Sequence, residues 1–324
     1  MLQRIFQKYT GFLRSLKAVY VLNNLLHAKK LQPNKALYRQ FGVKKSVFSP
    51  IGSKDFKQTP AGDIPWIDQE NALLNMSEQP GWDQLSPARQ QQVQQFIEQG
   101  YVVLENFFDA EDTQALNETV DQMLKTGRAD FNYTGRKIFN LFEKSPLADQ
   151  RFFRQPELMQ FLSFLLGKPV IPFQTLNFTE GSEQRAHSDS IHMTTEPKGY
   201  LIATWIALED VSDDCGPLFY YPKSHRLPFV STEHYDAGNT KWTIGVNSNR
   251  QYEDAIEQLI QTHGLQKQVF LPKRGDVLIW HANLLHGGSK ILKPGTTRKS
   301  MVCHYYAKGV FAYHEMSQRP AILK

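Results

Sequence analysis

The chain has 324 residues, 41% of them apolar and 21% charged, which is enough to bury a large core and excludes a disordered chain. Its net charge of +5 hides an asymmetry: residues 1–60 hold twelve of the 37 Lys/Arg but one of the 32 Asp/Glu (Asp55), so that segment carries +11 and the rest −6. Two cysteines, Cys215 and Cys303, exclude a disulfide scaffold, and with no leader pattern after Met1 and no apolar run long enough to span a bilayer, the cytoplasm is the expected location.

Over residues 1–30, Leu2, Ile5, Phe6, Tyr9, Phe12, Leu13, Leu16, Val19 and Tyr20 fall at helical spacing, with Arg4, Lys8, Arg14 and Lys17 between them. Two readings of this basic amphipathic helix stay open. It packs on the main body with its basic side solvated, or it lies on an anionic membrane, peripheral at the inner membrane surface. Lys29, Lys30, Lys35, Arg39, Lys44 and Lys45 extend the basic run through residues 1–45.

Residues 50–84 read as a connecting stretch. Ser86-Pro87 then starts a helix that runs to Gly100, Tyr101–Phe107 is a strand, and Asp109 caps a helix to Lys125. A further helical pattern covers Ser145–Leu166. From Pro169 the texture changes to short strands at 170–178, 199–211, 216–222, 267–272, 275–281 and 298–307, interrupted by one helix at about 252–261. This order predicts a mostly β chain: a basic extension (1–60), then a single domain (61–324). Its helical layer (about 85–168) packs on a sandwich or jelly-roll core (about 169–310).

A redox-active iron centre needs three protein ligands on one side and open positions on the other, which two His and one carboxylate supply. His187-Ser188-Asp189 sits between two strongly apolar strands, and residues two apart share a strand face. A second pair, His234-Tyr235-Asp236, lies in a polar stretch and is the weaker candidate. His286, before a Gly-Gly turn in GDVLIWHANLLHGGS, is the best third ligand. Arg298 opens the last strand twelve residues later, where a guanidinium can pair bidentately with a carboxylate, and Ser300 shares its strand face.

These segments, with GPLFYYPKSHR, resemble the phytanoyl-CoA dioxygenase family of Fe(II)/2-oxoglutarate oxygenases over residues 95–310. The resemblance implies a double-stranded β-helix (jelly-roll, cupin-like) core. It also implies iron held by His187, Asp189 and His286, 2-oxoglutarate anchored by Arg298, and hydroxylation of a C–H bond with O2, releasing succinate and CO2. Two positions depart from the family pattern: Lys223 stands where Gly is usual, and Gly288 where Ser is frequent.

Gln174 and Asn177 are further candidates for the cosubstrate. His192 and His281 read as supporting histidines, His225 as a turn-former, and Trp205 and Trp280 as core aromatics. No nucleic-acid partner is expected. The substrate remains open between a soluble small molecule, a lipid-linked sugar (as for the similarly designed hydroxylases of Kdo on lipid A precursors) and, less favoured, an acyl-CoA. The rival to an enzyme is a catalytically inactive jelly roll that serves as a binding module.

Overall fold

Helices form where the residues supply caps and apolar spacing. In this computed structural model, which describes residues 15–56, 63–132 and 135–322, three short helices come first: α1 (Lys17–Leu26), α2 (Ala28–Leu31) and α3 (Asn34–Gln40). Of the amphipathic helix expected over residues 1–30, residues 1–14 lie outside the described residues, and α1 accounts for Lys17–Leu26. The segment that follows is fastened to the domain. Leu31, Tyr38, Val43, Val47 and Ile51 are buried against Phe311 and Tyr313, and the Phe56 ring stacks on Tyr313 at 5.3 Å.

In α4 (Pro87–Gln99) the Ser86 hydroxyl accepts from the Arg89 amide and Gly100 closes the helix at φ +82°. In α5 (Ala110–Lys125) the Asp109 carboxylate accepts from the Asp112 amide at 2.7 Å. The helix expected over Ser145–Leu166 is split. Residues Ala148–Phe153 form a wide π-type turn, and α6 restarts as Pro156–Leu166 because proline has no amide to continue the ladder. Gln155 caps the new start by accepting from Leu158.

The strands are β1 (Tyr101–Leu104), β2 (Ile138–Phe139), β3 (Val170–Phe178), β4 (Thr194–Glu196), β5 (Leu201–Ala207), β6 (Leu218–Tyr220) and β7 (Gln268–Val269). They continue, after α7 (Ser248–Thr262) has intervened before β7, with β8 (Val277–His281), β9 (His286–Gly288), β10 (Ser300–Ala307), β11 (Phe311–His314) and β12 (Arg319–Pro320). The large sheet has the order β1-β8-β5-β10-β3-β2 and is antiparallel throughout. Opposite it stand two small sheets, β7-β6-β9 and β12-β11-β4. Strand alternation sorts the residues: Met301, Cys303 and Tyr305 face the helical layer, whereas Val302 joins Leu176, Phe178, Trp205, Leu218 and Trp280 between the sheets. This is a jelly-roll core with helices on its outer face, and strands continue beyond residue 310 through β11 and β12. No helix among the described residues is long and apolar enough to cross a membrane.

Candidate metal centre

His187 and His286 meet because their backbones form a two-way bridge: each amide donates to the other's carbonyl, at 3.0 and 2.9 Å. Asp189 is not on a strand, as the alternation argument supposes. It opens a short 3-10 turn, Asp189–Ile191, and this turn carries its carboxylate back beside the two rings. The three side chains are buried, and one ligand atom from each lies within 4.8 Å of the others.

Their orientation is fixed from behind. His187 Nδ1–H donates to Arg185 O at 2.9 Å and His286 Nδ1–H to Leu284 O at 3.0 Å, which leaves both Nε2 lone pairs facing inward. The Trp280 indole N–H donates to Asp189 Oδ2 at 2.8 Å, so Oδ1 is left to face His286 Nε2 at 3.7 Å. Trp280, read from sequence as a core aromatic, therefore also positions a ligand. Burial, then the His286 imidazole, hold His187 well below the ordinary histidine range, so its ring is neutral and available as a donor atom. Burial pushes Asp189 up, but the imidazoles of His286 and His304 outweigh it and keep the carboxylate ionised.

The rival pair is taken up otherwise. His234 Nδ1 accepts from the Ser231 amide at 3.0 Å, Asp236 is exposed, and the pair belongs to no metal-capable group among the described residues.

Arg298 is 2% exposed, lies between the Phe178 and Trp205 rings, and makes one hydrogen bond, from Nη1 to Gly216 O at 3.0 Å. Its Nε has no partner, and no carboxylate among the described residues pairs with it. Burial lowers its pKa to about 10, so it stays charged at neutral pH. A buried cation without a counter-ion fits an anionic cosubstrate. Ser300 faces the same side of β10, and its buried hydroxyl is also unpartnered. Gln174 lines the cavity. Asn177, three residues on and so on the other face of β3, does not; its buried amide has no hydrogen-bond partner.

A cavity of about 930 Å³ joins the three ligands to Arg298 and continues past His192, His304, Tyr306 and His314 to Tyr20, Asn23 and Arg319. Asp189 is the sole carboxylate among these lining residues, whereas Lys137, Arg298 and Arg319 are cationic. Burial, first, holds His192 down at about 4 and His314 well below its ordinary value, so both rings are neutral. His281 faces elsewhere, with Nε2 3.1 Å from Asp68, and His225 Nε2 bonds Ile97 O.

Sequence reasoning missed three residues here. His304 Nε2 lies 3.4 Å from Asp189 Oδ2 and follows from parity, since 298, 300, 302 and 304 share one face. The Gln184 amide donates to His187 Nε2 at 3.1 Å, so it occupies the lone pair that a metal ion would take and must yield it on metal binding, and its Oε1 accepts from Lys137 Nζ at 3.1 Å. Neither Gln184 nor Lys137 has a local signal, because both reach the site from irregular segments.

The family model for phytanoyl-CoA dioxygenase matches residues 96–300. The chain is 27% identical over 234 residues to the ectoine dioxygenase of Sphingopyxis alaskensis, covering 66% of this chain and 74% of that enzyme. Its fold is similar to the crystal structure of EctD from S. alaskensis with 2-oxoglutarate and 5-hydroxyectoine, at TM-score 0.51 and 23% identity over 69% of this chain and 76% of that one. It is also similar to the epimerase SnoN in complex with Fe3+, alpha ketoglutarate and nogalamycin RO, at TM-score 0.52 and 18% identity over 69% and 85%. With a donor set suited to iron and a buried cation suited to 2-oxoglutarate, the chain belongs to the phytanoyl-CoA dioxygenase family and is an iron- and 2-oxoglutarate-dependent dioxygenase.

Proposed function

We propose that the protein hydroxylates an unactivated C–H bond of a small polar substrate bearing an anionic group. Fe(II) would be held by His187, Asp189 and His286, and 2-oxoglutarate by Arg298 and Ser300, with Gln174 and Lys137 on the cavity wall beside them. The observation that carries this reading is the pairing of three buried ligand atoms within 4.8 Å with a buried, counter-ion-free guanidinium in one cavity. With O2, the metal and cosubstrate supply an oxidant able to break the C–H bond, and 2-oxoglutarate leaves as succinate and CO2.

The chain's own part is to bind, orient and exclude water. Trp280 and the Arg185 and Leu284 carbonyls fix the ligand atoms, and the Phe178 and Trp205 rings keep Arg298 dry, where its attraction for a carboxylate is least screened. Neutral imidazoles at His192 and His314 offer hydrogen bonds to hydroxyl or amide groups, and Arg319 supports the choice of an anionic substituent. Proteins named for ectoine and nogalamycin chemistry, to which this chain is similar, support a small molecule. The +11 charge of residues 1–60 supports peripheral contact with an anionic membrane as well, which keeps a lipid-linked sugar as the second substrate reading.

Anaerobic Fe(II) with 2-oxoglutarate is expected to give the weak visible charge-transfer band of a chelated cosubstrate. His187→Ala or Asp189→Ala should abolish it and His234→Ala should leave it. The reverse result would move the centre to the second pair, and no band in the wild type would favour an inactive binding module. Substrate-dependent succinate release, screened over anionic small molecules and membrane extracts, then identifies the substrate.

A further inference from the structure

Helix α1 is turned inside out. Its buried residues are Lys17 and Asn24, held by a bond from Lys17 Nζ to Thr240 O and one from Asn24 Nδ2 to Phe48 O at 3.0 Å. Its apolar stripe faces outward, with Val19 at 38%, Leu22 at 59%, Leu25 at 50% and Leu26 at 76% exposure. A surface helix of a globular protein buries that stripe against its own core. Beside the start of α1 runs the 240–246 loop: Leu16 bridges Thr243, and the Lys17 amide donates to Trp242 O at 2.9 Å. This loop adds two more exposed apolar side chains, Trp242 at 69% and Val246 at 92%.

We infer that α1 and the Trp242 loop form one surface that docks on an anionic membrane and holds the cavity end lined by Tyr20 and Asn23 beside it. Charge favours lipid as the occupant. No acidic residue precedes Asp55, Lys29 and Lys30 are exposed just after Leu26, and the Lys241 ammonium lies 5.0 Å over the Trp242 ring. Exposed leucines followed by lysines, with a tryptophan alongside, are what an anionic headgroup layer over acyl chains accepts. The other face of α1 turns Tyr20 and Asn23 into the cavity, and the Arg319 guanidinium lies 5.8 Å over the Tyr20 ring. Docking thus brings the substrate end of the cavity to the lipid surface. That consequence alone rests on the functional reading above; the docking surface does not.

The test uses full-length, metal-free protein with vesicles of phosphatidylcholine, with and without phosphatidylglycerol. Binding is expected only with phosphatidylglycerol and should weaken with salt. Brominated acyl chains should quench the emission that Trp242→Phe removes, since Trp66, Trp205 and Trp280 are buried and Trp82 is half-buried against Phe164. Leu22→Ser with Leu26→Ser should weaken binding about tenfold per leucine while leaving the charge-transfer band with Fe(II) and 2-oxoglutarate intact. Absent binding, binding without Trp242 quenching, or undiminished binding by the double variant overturns the proposal. So does a wild-type dimer that the double variant converts to monomer, because a second copy would then cover the stripe. A missing charge-transfer band with normal vesicle binding refutes the catalytic reading and leaves this one standing.

Discussion

Replacing Arg298 with Met separates what the guanidinium does for the fold from the part proposed for it in binding 2-oxoglutarate. The side chain is buried and charged, with one carbonyl partner and no carboxylate. An uncompensated buried charge costs several kcal/mol, which its contacts with the Phe178 and Trp205 rings offset by about 0.5–2 kcal/mol each. Met fills similar space without the charge, so the ligand-free variant should be as stable as the wild type or up to about 3 kcal/mol more stable. The cosubstrate loses its buried cation at the same time. That costs about 2–5 kcal/mol, or roughly 30- to several-thousand-fold in affinity. Urea unfolding of ligand-free protein measures the first effect; anaerobic titration of 2-oxoglutarate against the charge-transfer band measures the second. At a hundred times its dissociation constant 2-oxoglutarate should stabilise the wild type by about 2.7 kcal/mol, and at that concentration the variant should gain almost nothing. A variant that binds 2-oxoglutarate normally would transfer the distal carboxylate to Lys137. A ligand-free variant destabilised by more than about 3 kcal/mol would make Arg298 a structural group and refute the reasoning.

Trp280→Phe removes the indole N–H from Asp189 Oδ2, a charge-assisted bond of about 1.5–3 kcal/mol; Fe(II) binding followed by titration should weaken about ten- to a hundredfold, and unchanged affinity would mean that His304 alone orients the carboxylate. His225 is buried and pushed from 6.5 down to about 3, by desolvation first and then by His281, so the unfolded chain takes up its proton first. Stability present above pH 6.5 is therefore lost as pH falls toward 3. His225→Gln should reduce the slope of unfolding free energy between those values by about 1.4 kcal/mol per pH unit, and parallel wild-type and variant curves would refute this. Lys223 sits in the left-handed region at φ +68°, so Lys223→Gly should raise the urea midpoint by about 0.5 kcal/mol of stability, and a loss of more than about 1 kcal/mol would show that its side chain has another role.

How far the sequence could be read depended on how local the signal was. Caps at Ser86 and Asp109 and the long strands β3, β5, β8 and β10 carry their pattern in consecutive residues, and each was legible. Within the candidate site, the strand face shared by Arg298 and Ser300 and the turn beside His286 were legible as local geometry. The site was not legible where a residue arrives from a short or irregular segment. Lys137 precedes a two-residue strand, Gln184 lies in a loop, and β11 and β12 are too short for alternation to register, although they bring His314 and Arg319 into the cavity. Asn177 illustrates the opposite error: it stands near the centre in sequence, yet its parity faces it away.

The two departures from the family pattern have physical counterparts of different kinds. At position 288 a Cβ would lie 2.3 Å from Ser182 Oγ and 2.9 Å from the Glu183 amide nitrogen, so the 182–184 segment is packed for glycine, and a side chain there would shift the backbone that runs beside His187. At Gly287 a Cβ would meet Phe219 Cζ at 2.5 Å and Gln184 O at 2.6 Å, so both glycines of the pair let one backbone lie directly against another. Lys223 has no such compensation. It holds a left-handed conformation that glycine would adopt without strain, while its amide donates to Gln99 O at 2.9 Å and ties the turn that carries His225 to the end of α4. A departure that leaves backbone geometry intact at a cost in strain affects stability alone. One that reshapes the segment beside His187, a proposed metal ligand, reaches the metal site. Substitutions near Gly288 should therefore register in Fe(II) affinity before they register in unfolding, and those at Lys223 in unfolding alone.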